Sequence, residues 1–110
     1  MSDSDPETGF TLDPRLAGDT SAVGDLSLSS VLLMDDARFP WLILVPRRAG
    51  ASELTDLPDA EARALMQEIR IATRVLQEIA RPDKINVGAL GNVVSQLHVH
   101  VVARFLSDPA

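Results

Sequence analysis

The sequence predicts an α+β domain, in which an antiparallel β-sheet is covered by one main α-helix. Three observations lead to this prediction: four short apolar runs with strand character, one long stretch with helical apolar spacing, and their order of two strands, the helix and two strands. At 110 residues the chain has the length of one domain. Residues 1–8 are polar and acidic, so we expect a disordered tail there and a single domain over residues 9–110.

The first two predicted strands precede the helix. Residues 29–34 (SSVLLM) form a short apolar run that ends at two aspartates, a turn-forming pair. Residues 41–45 (WLILV) are apolar at every position and lie between Pro40 and Pro46. A continuous apolar run bounded by prolines is typical of a strand that is buried on both faces.

The predicted helix covers residues 58–80. Its apolar residues recur three and four positions apart, as they do on one face of an amphipathic helix. They are Leu65, Met66, Ile69, Ala72, Val75, Leu76 and Ile79. Asp56 is the expected N-cap, and Pro82 ends the helix because proline disfavours a helical conformation in the residue before it.

Two further strands follow the helix. Residues 85–90 (INVGAL) end at the turn signal Gly91-Asn92, and residues 97–105 (LHVHVVARF) show the clearest strand alternation. At the other end of the chain, the segment that begins at Gly9 is more apolar than the tail. The apolar residues of this segment that we expect to pack on the domain are Phe10, Leu12, Leu16 and Val23.

The composition excludes several classes of function. The chain has no cysteine, which removes disulfides, thiolate catalysis and cysteine-ligated metal sites. Its net charge of −6 disfavours a nucleic acid polymer as a partner, and no apolar run approaches the roughly 20 residues of a membrane helix. The first residues lack the basic and apolar regions of a signal peptide. We therefore expect a cytoplasmic protein that binds neither a membrane nor a nucleic acid polymer.

Both histidines of the chain lie two residues apart in the last predicted strand. Successive side chains of a strand alternate between the two faces of its sheet. The side chains assigned to the face against the helix are Leu97, Val99, Val101 and Ala103. Those of the opposite face are Gln96, His98, His100, Val102 and Arg104. The opposite face therefore carries an amide, two imidazoles and a guanidinium in one line.

The residues alone leave three interpretations of this face open. A half-exposed strand often has a polar solvent face with no further function. A zinc site needs at least one more ligand, which in this chain has to be a distant Asp or Glu, since there is no cysteine and no third histidine. Catalysis is the third interpretation, because imidazole titrates near neutrality and its neutral form has a nucleophilic nitrogen.

Residues 96–102 (QLHVHVV) resemble the histidine triad motif, His-φ-His-φ-His-φ-φ with φ apolar, of the HIT family of nucleotide hydrolases and transferases. Gln96 stands where the first motif histidine would be, and Arg104 matches a basic residue that often follows the last one by four positions. WLILVPRR, LTDL and GNVVSQ resemble the family's strand with its Pro-basic-basic turn, its helix entry and its phosphate-side loop. The resemblance extends over residues 29–105 and implies the family's fold and a small nucleotide substrate.

The resemblance also implies catalytic roles for three residues. His98 corresponds to the family's nucleophile, which attacks an α-phosphate and forms a nucleotidyl-histidine intermediate. His100 is expected to contact phosphate oxygens or to support His98. Gln96 is expected to hydrogen-bond phosphate or a leaving group through its amide.

Nucleotide-binding residues are implied at two further places. Gly91 and Asn92 correspond to the loop that offers backbone N–H groups and an amide to the phosphate. Asp35 matches approximately the position that binds ribose hydroxyls, with Asp36 as the alternative if the alignment shifts by one residue. The resemblance implies no metal and no cofactor, and it implies a homodimer.

Two departures from the family pattern leave other functions open. Gln96 cannot carry a proton as an imidazole can, and Trp41 stands where many members have a further histidine. One alternative is therefore a catalytically weak nucleotide-binding or regulatory protein, and another is a structural dimerisation module. The leading prediction is hydrolysis or nucleotidyl transfer at a nucleoside phosphate of the phosphoramidate or dinucleoside polyphosphate type.

Overall fold

The computed structural model describes residues 9–108 and, by their backbone, residues 4 and 5. The elements are β1 (Ser4–Asp5), β2 (Phe10–Thr11), α1 (Pro14–Asp19), β3 (Thr20–Asp25), β4 (Ser29–Met34), β5 (Trp41–Pro46), a 3-10 turn (Leu54–Asp56), α2 (Asp59–Ala80), β6 (Lys84–Gly88) and β7 (Val99–Arg104). β1 pairs with β2. The disordered tail over residues 1–8 and the single domain over residues 9–110 stay predictions, and most of the tail lies outside the described residues.

Strands β3 to β7 form one antiparallel sheet in the order β3-β4-β5-β7-β6. This sheet and the long helix α2 confirm the predicted α+β class. β7 is an inner strand, since His100 lies opposite Ile43 of β5 on one side and opposite Gly88 of β6 on the other. Two neighbouring strands therefore position the segment that carries both histidines.

The sequence did not predict α1 and β3. α1 follows Asp13, whose carboxylate accepts a hydrogen bond from the backbone N–H of Arg15 at 2.8 Å, and Pro14 occupies the first turn. An N-cap followed by proline is a known start signal, but six residues are too few to show a helical period. β3 has no apolar alternation, and its pairing with β4 is irregular between Ala22 and Gly24.

Helix α2 packs on one face of the sheet and forms the larger apolar core with it. Its side chains Leu65, Ala72 and Leu76 are buried among apolar residues of β5 and β7. Burying one leucine side chain stabilises a fold by roughly 1.5–3 kcal/mol. Within the described residues, no helix combines the length and the apolar character that a membrane span requires.

The sheet covers only part of the apolar side of α2. Met66, Val75 and Ile79, which were expected to pack on the sheet, are 56%, 44% and 73% exposed, so this part of the prediction is wrong. Val75 and Ile79 instead line an open apolar groove of about 420 Å³ between α2 and strands β3 to β5, which we call the α2 groove. Val23 of β3 lines the same groove and is 60% exposed, so the packing expected for it is also wrong.

The other face of the sheet is covered by residues 9–19. Phe10, Leu12 and Leu16 are buried there, as expected from the sequence. They form a second apolar cluster with residues from β4 and β5, namely Leu32, Ile43 and Val45. The sheet is therefore covered on both faces, by α2 on one side and by the N-terminal segment on the other.

Helix α2 begins later than its expected N-cap. Asp56 belongs to the preceding 3-10 turn, and Pro58 is the residue before the helix. The Asp56 carboxylate accepts hydrogen bonds from the backbone N–H groups of Ser52 and Glu53, at 3.0 and 2.9 Å, and these bonds hold its pKa below the ordinary value. The carboxylate therefore stabilises the turn that leads into α2.

Glu68 joins α2 to the start of β4. Its carboxylate is 5% exposed and accepts hydrogen bonds from the backbone N–H groups of Leu28 and Ser29, at 2.8 and 3.0 Å. Buried N–H groups are costly to leave without an acceptor. This contact was not predictable from the sequence, because the partners of Glu68 lie about 40 residues away.

Removing the Glu68 carboxylate should destabilise the fold. We expect Glu68→Ala to lower the free energy of unfolding by about 3 kcal/mol, because it leaves two backbone N–H groups without their acceptor. Glu68→Gln, which keeps one acceptor oxygen, should cost less. The free energy of unfolding is measured by urea denaturation, and we expect the m-value to stay unchanged. Glu78→Ala, on the exposed side of α2, is the matched control. Equal effects of Glu68→Ala and Glu78→Ala would contradict this assignment.

Candidate active site

β7 presents its two faces as the sequence predicts. The residues on the side of α2 are all buried, and they are Leu97, Val99, Val101 and Ala103. His98 and His100 lie on the opposite face, where their rings meet edge to face with centroids 4.9 Å apart and planes at 72°. The two imidazoles are therefore direct neighbours on the face that the N-terminal segment covers.

His98, the residue before β7, is held by a backbone carbonyl two positions earlier in the chain. Its ring atom Nδ1 lies 2.6 Å from the carbonyl oxygen of Gln96, and the residue is 5% exposed. A carbonyl oxygen only accepts hydrogen bonds, so Nδ1 carries the proton and Nε2 of the neutral ring keeps its lone pair. This is the ring form that a nucleophilic histidine needs.

His100 is held by a tryptophan from the neighbouring strand. The indole Nε1–H of Trp41 donates a hydrogen bond of 3.0 Å to Nδ1 of His100, and the ring centroids lie 5.5 Å apart. Burial lowers the pKa of His100, and the adjacent His98 lowers it further. His100 therefore stays neutral to a lower pH than an exposed histidine does.

A hollow of about 240 Å³ opens beside His100, and we call it the His100 hollow. It is lined by Trp41, Asn86, Val87, Gly88, Leu90, His100 and Val102, which come from β5, β6 and β7 and the loop after β6. Most of these groups are apolar, and the ring of His100 is a polar exception. The hollow therefore offers room for a small molecule next to the histidine pair.

The Gln96 amide binds the N-terminal segment. Its Oε1 accepts a hydrogen bond from the backbone N–H of Asp13 at 2.8 Å, and its Nε2 donates to the carbonyl of Thr11 at 2.7 Å. The C=O of one residue and the N–H two residues later point to the same side of an extended chain, which suits a planar amide. One N–H and one lone pair of the amide stay available for a ligand.

Residues 11–15 contribute to this face, although no motif in the sequence assigns them to the site. Thr11, Asp13 and Gln96 line a second hollow of about 250 Å³, which we call the Gln96 hollow. The guanidinium of Arg15 donates a hydrogen bond of 3.0 Å to the carbonyl of Val93, in the loop before β7. The Asp13-Pro14 helix start was the available signal for α1, but nothing in the sequence indicated which face of the sheet it covers.

Gly91 and Asn92 lie in the loop between β6 and β7, as expected, but they face a third hollow. This Gly91 hollow has a volume of about 210 Å³ and is also lined by Ser52, Glu53 and Leu97. Leu90 lines both this hollow and the His100 hollow, so the two are adjacent. Among the described residues, no hydrogen bond joins Gly91 or Asn92 to either histidine.

Asp35 and Asp36 follow β4 but differ in their contacts. Asp36 accepts two hydrogen bonds from the Arg38 guanidinium, at 3.1 and 2.9 Å, and Arg38 lowers its pKa. The exposed carboxylate of Asp35 has no hydrogen-bond or ion-pair partner among the described residues. Asp35 is therefore the freer of the two carboxylates for a ligand, and no contact links it to the histidines.

The metal interpretation has no support from clustered ligands. Within residues 9–108, no group of three or more His, Asp or Glu side chains lies close enough together to hold a metal ion. The nitrogen Nδ1 of each histidine is also occupied by a hydrogen bond within the protein.

Curated relatives of this chain exist in two strains of Mycobacterium tuberculosis, CDC 1551 / Oshkosh and ATCC 25618 / H37Rv. Each is named AP-4-A phosphorylase and is 36% identical over 116 aligned positions, which cover 97% of this chain. The chain spans 58% of the length of these relatives.

Solved histidine triad proteins share the fold. Those from Bradyrhizobium japonicum, Sinorhizobium meliloti 1021 and Marinobacter aquaeolei VT8 are 50%, 47% and 44% identical, each with a TM-score of 0.90. The similarity covers 92%, 93% and 92% of this chain and 75%, 76% and 74% of theirs. The family model of the HIT domain matches residues 16–106. The chain therefore belongs to the HIT domain family.

Proposed function

We propose that this protein is a nucleotide hydrolase or nucleotidyl transferase that acts on a nucleoside phosphate through a nucleotidyl-histidine intermediate on His98. The observation that carries the proposal is the 2.6 Å contact of His98 Nδ1 with the Gln96 carbonyl, which leaves Nε2 as a bare nucleophile. The residues two positions after and two positions before His98 line the His100 hollow and the Gln96 hollow.

The proposed chemistry has two steps. The lone pair of His98 Nε2 forms a bond to the α-phosphorus, and the bond from that phosphorus to the leaving group breaks, so that the leaving group departs with the electron pair. The imidazole then carries a positive charge, which the Gln96 carbonyl stabilises by accepting the Nδ1–H bond. Water or another acceptor then attacks phosphorus, the P–N bond breaks, its electron pair returns to Nε2, and the acceptor's proton passes to solvent.

His100 and Gln96 support this reaction in the proposal. His100 contacts a phosphate oxygen from its position 4.9 Å from the His98 ring, measured between centroids. Two hydrogen bonds of the Gln96 amide hold residues 11–13 beside the site. The remaining amide N–H is offered to the phosphate or to the leaving group. An amide cannot transfer a proton as imidazole does, so the leaving groups that suit this site need little protonation.

Substrate binding is assigned to three further residues. Gly91 and Asn92 contribute donors for phosphate oxygens in the hollow adjacent to that of His100. Asp35 is proposed to accept hydrogen bonds from ribose hydroxyls, because its carboxylate is exposed and Asp36 is engaged by Arg38. No cofactor and no metal enters the proposed reaction.

Dinucleoside polyphosphates are the first substrate class to examine. The relatives named AP-4-A phosphorylase are 36% identical across nearly the whole of this chain, although the chain spans only 58% of their length. A nucleoside phosphoramidate is the second class. It uses the same attack on the α-phosphorus, but its amine must take up a proton from solvent as the P–N bond breaks, because Gln96 cannot supply one, so we expect slower turnover than with a dinucleoside polyphosphate.

One observation favours a second function, that of a nucleotide-binding regulatory protein with weak catalysis. Gln96 stands where the resemblance places the first motif histidine, and its amide hydrogen-bonds the backbone of Thr11 and Asp13. Such a protein keeps the nucleotide site but lacks an acid at this position.

The α2 groove is proposed as the surface of a homodimer. It is apolar and open, and Val75 and Ile79 of α2 lie exposed along it. An exposed apolar patch rimmed by polar groups is typical of a protein–protein contact. The homodimer implied by the HIT resemblance supports a second copy of the chain as the occupant. The expected cytoplasmic location stays a prediction.

Substitution of His98 should abolish turnover. We expect His98→Ala and His98→Asn to lower kcat/KM for a dinucleoside polyphosphate or an AMP phosphoramidate by about a thousandfold or more, because the nucleophile is lost. Leu106→Ala, at an exposed position away from the site, is the control. Quenching in alkaline denaturant with α-phosphate-labelled substrate should leave label on the wild type and none on His98→Asn, because the P–N bond to imidazole is labile in acid and stable in base.

The same assay separates the alternatives. Nucleotide binding by calorimetry without turnover in the wild type would support the regulatory function instead. If the wild type neither binds nor turns over a nucleotide, the structural dimerisation module is the interpretation that remains. Turnover that survives in His98→Asn would contradict the proposed intermediate.

Loss of the Gln96 amide should loosen the N-terminal segment. Gln96→Ala removes both hydrogen bonds to residues 11–13, so we expect faster hydrogen exchange at the Asp13 amide and a free energy of unfolding lower by about 1–3 kcal/mol. Gln96→Glu is the matched control, because it keeps the acceptor for Asp13 N–H and removes only the donor to Thr11. Unchanged exchange at Asp13 in Gln96→Ala would contradict this role.

Charges placed in the α2 groove should prevent dimerisation. We expect the wild type to have twice the mass of one chain by light scattering, and Val75→Glu and Ile79→Glu to shift it to one chain, because the charge would be buried in the interface. Leu106→Glu, which adds the same charge at a residue 92% exposed, is the control and should stay dimeric. A monomeric wild type at micromolar concentration would refute the proposed dimer.

A further inference from the structure

The contact between Trp41 and His100 crosses from β5 to β7. Trp41 lies opposite Val102 and Ile43 lies opposite His100, so Trp41 and His100 are diagonal neighbours on one face. Large aromatic side chains reach such diagonal partners. The 3.0 Å hydrogen bond from the indole Nε1–H to His100 Nδ1 therefore follows from the register of the two strands.

An indole N–H can only donate, so its partner nitrogen has to be an acceptor. Nδ1 of His100 therefore carries no proton, and the neutral ring has its proton on Nε2. His98 is held in the opposite way, because the Gln96 carbonyl can only accept and requires the proton on Nδ1. The two adjacent histidines thus have different neutral tautomers.

We propose that Trp41 is a positioning residue that holds His100 as the neutral Nε2–H tautomer, so that the histidine pair presents a bare nitrogen on His98 and a hydrogen-bond donor on His100. This inference rests on the proposed function, since it assigns each ring of that site its part in binding and attacking a phosphate. A nucleophile beside a fixed N–H donor suits a phosphate group, whose oxygens accept hydrogen bonds while its phosphorus is attacked.

Trp41 also opposes protonation of His100. An imidazolium ring carries protons on both nitrogens, and a proton on Nδ1 would face the indole N–H. Burial and His98 act in the same direction. Among the described residues, the other charged groups on this face lie at two places. Asp13 and Arg15 belong to the N-terminal segment next to Gln96 and Val93. Lys84 and Arg104 lie opposite each other farther along β7, where Arg104 is ion-paired with Asp108. His100 therefore acts as a neutral donor, not as a proton source.

Nitrogen-15 NMR of labelled histidines tests the proposal directly, because protonated and bare ring nitrogens have distinct chemical shifts. In the wild type we expect a bare Nδ1 and a protonated Nε2 for His100, and the reverse for His98. Trp41→Phe keeps an aromatic ring and removes the N–H, so we expect His100 to become a mixture of tautomers with a raised pKa. His98 in the same spectrum is the internal control and should keep its tautomer.

A second measurement uses the unmodified protein. Trp41 is the only tryptophan, and the chain has no tyrosine, so the fluorescence comes from the surroundings of Trp41, which include this contact. We expect the emission to change over the pH range in which His100 titrates, and His100→Asn to remove that change. Emission that does not follow the His100 titration, or a wild-type His100 protonated on Nδ1, would overturn the inference. So would unchanged His100 shifts and pKa in Trp41→Phe.

Kinetics then distinguish this inference from the proposed function. We expect Trp41→Phe to lower kcat by roughly fivefold with a smaller effect on KM, the effect of one hydrogen bond of about 1 kcal/mol. If the wild type shows the expected tautomers of both histidines but no turnover, only the proposed function is contradicted. Turnover with the opposite His100 tautomer would contradict the role of Trp41 alone.

Discussion

The candidate site depends on the position of β7 as an inner strand whose two faces are both covered. Its hydrogen bonds to β5 and β6 fix the register, and the register decides which side chains meet His100. α2 buries one set of alternate residues, and that burial prevents the strand from slipping by one residue. A slip of this kind would place both histidines beneath α2, so the core on one face determines the chemistry available on the other.

The parts of the structure that the sequence predicts are those with a local period. The two-residue alternation around His98 and His100 identified their face, and the three-and-four spacing located α2 to within one residue at its start. The contacts of these residues were not predictable in the same way. Trp41 meets His100 only because β5 and β7 pair in one register, and the Gln96 amide binds residues more than 80 positions away.

The errors also have a physical pattern. Hydrophobic periodicity shows that a helix has an apolar side, but it cannot show how much of that side the chain itself covers. The exposed stripe through Val75 and Ile79 is as apolar as the buried one through Leu65 and Leu76. Similarly, β3 is an edge strand with little apolar character, and tertiary pairing with β4 makes it a strand where its sequence alone does not.

The group that orients His98 is the main-chain carbonyl of Gln96, two residues before it in the chain. Every amino acid supplies this oxygen, so the orientation of the His98 ring does not require a particular side chain at position 96. The Gln96 side chain is not needed for that orientation. In this protein it hydrogen-bonds the backbone of Thr11 and Asp13, which lie far away in the sequence. One residue therefore serves two ends of the chain: the backbone of Gln96 orients His98, and its side chain attaches residues 11–13.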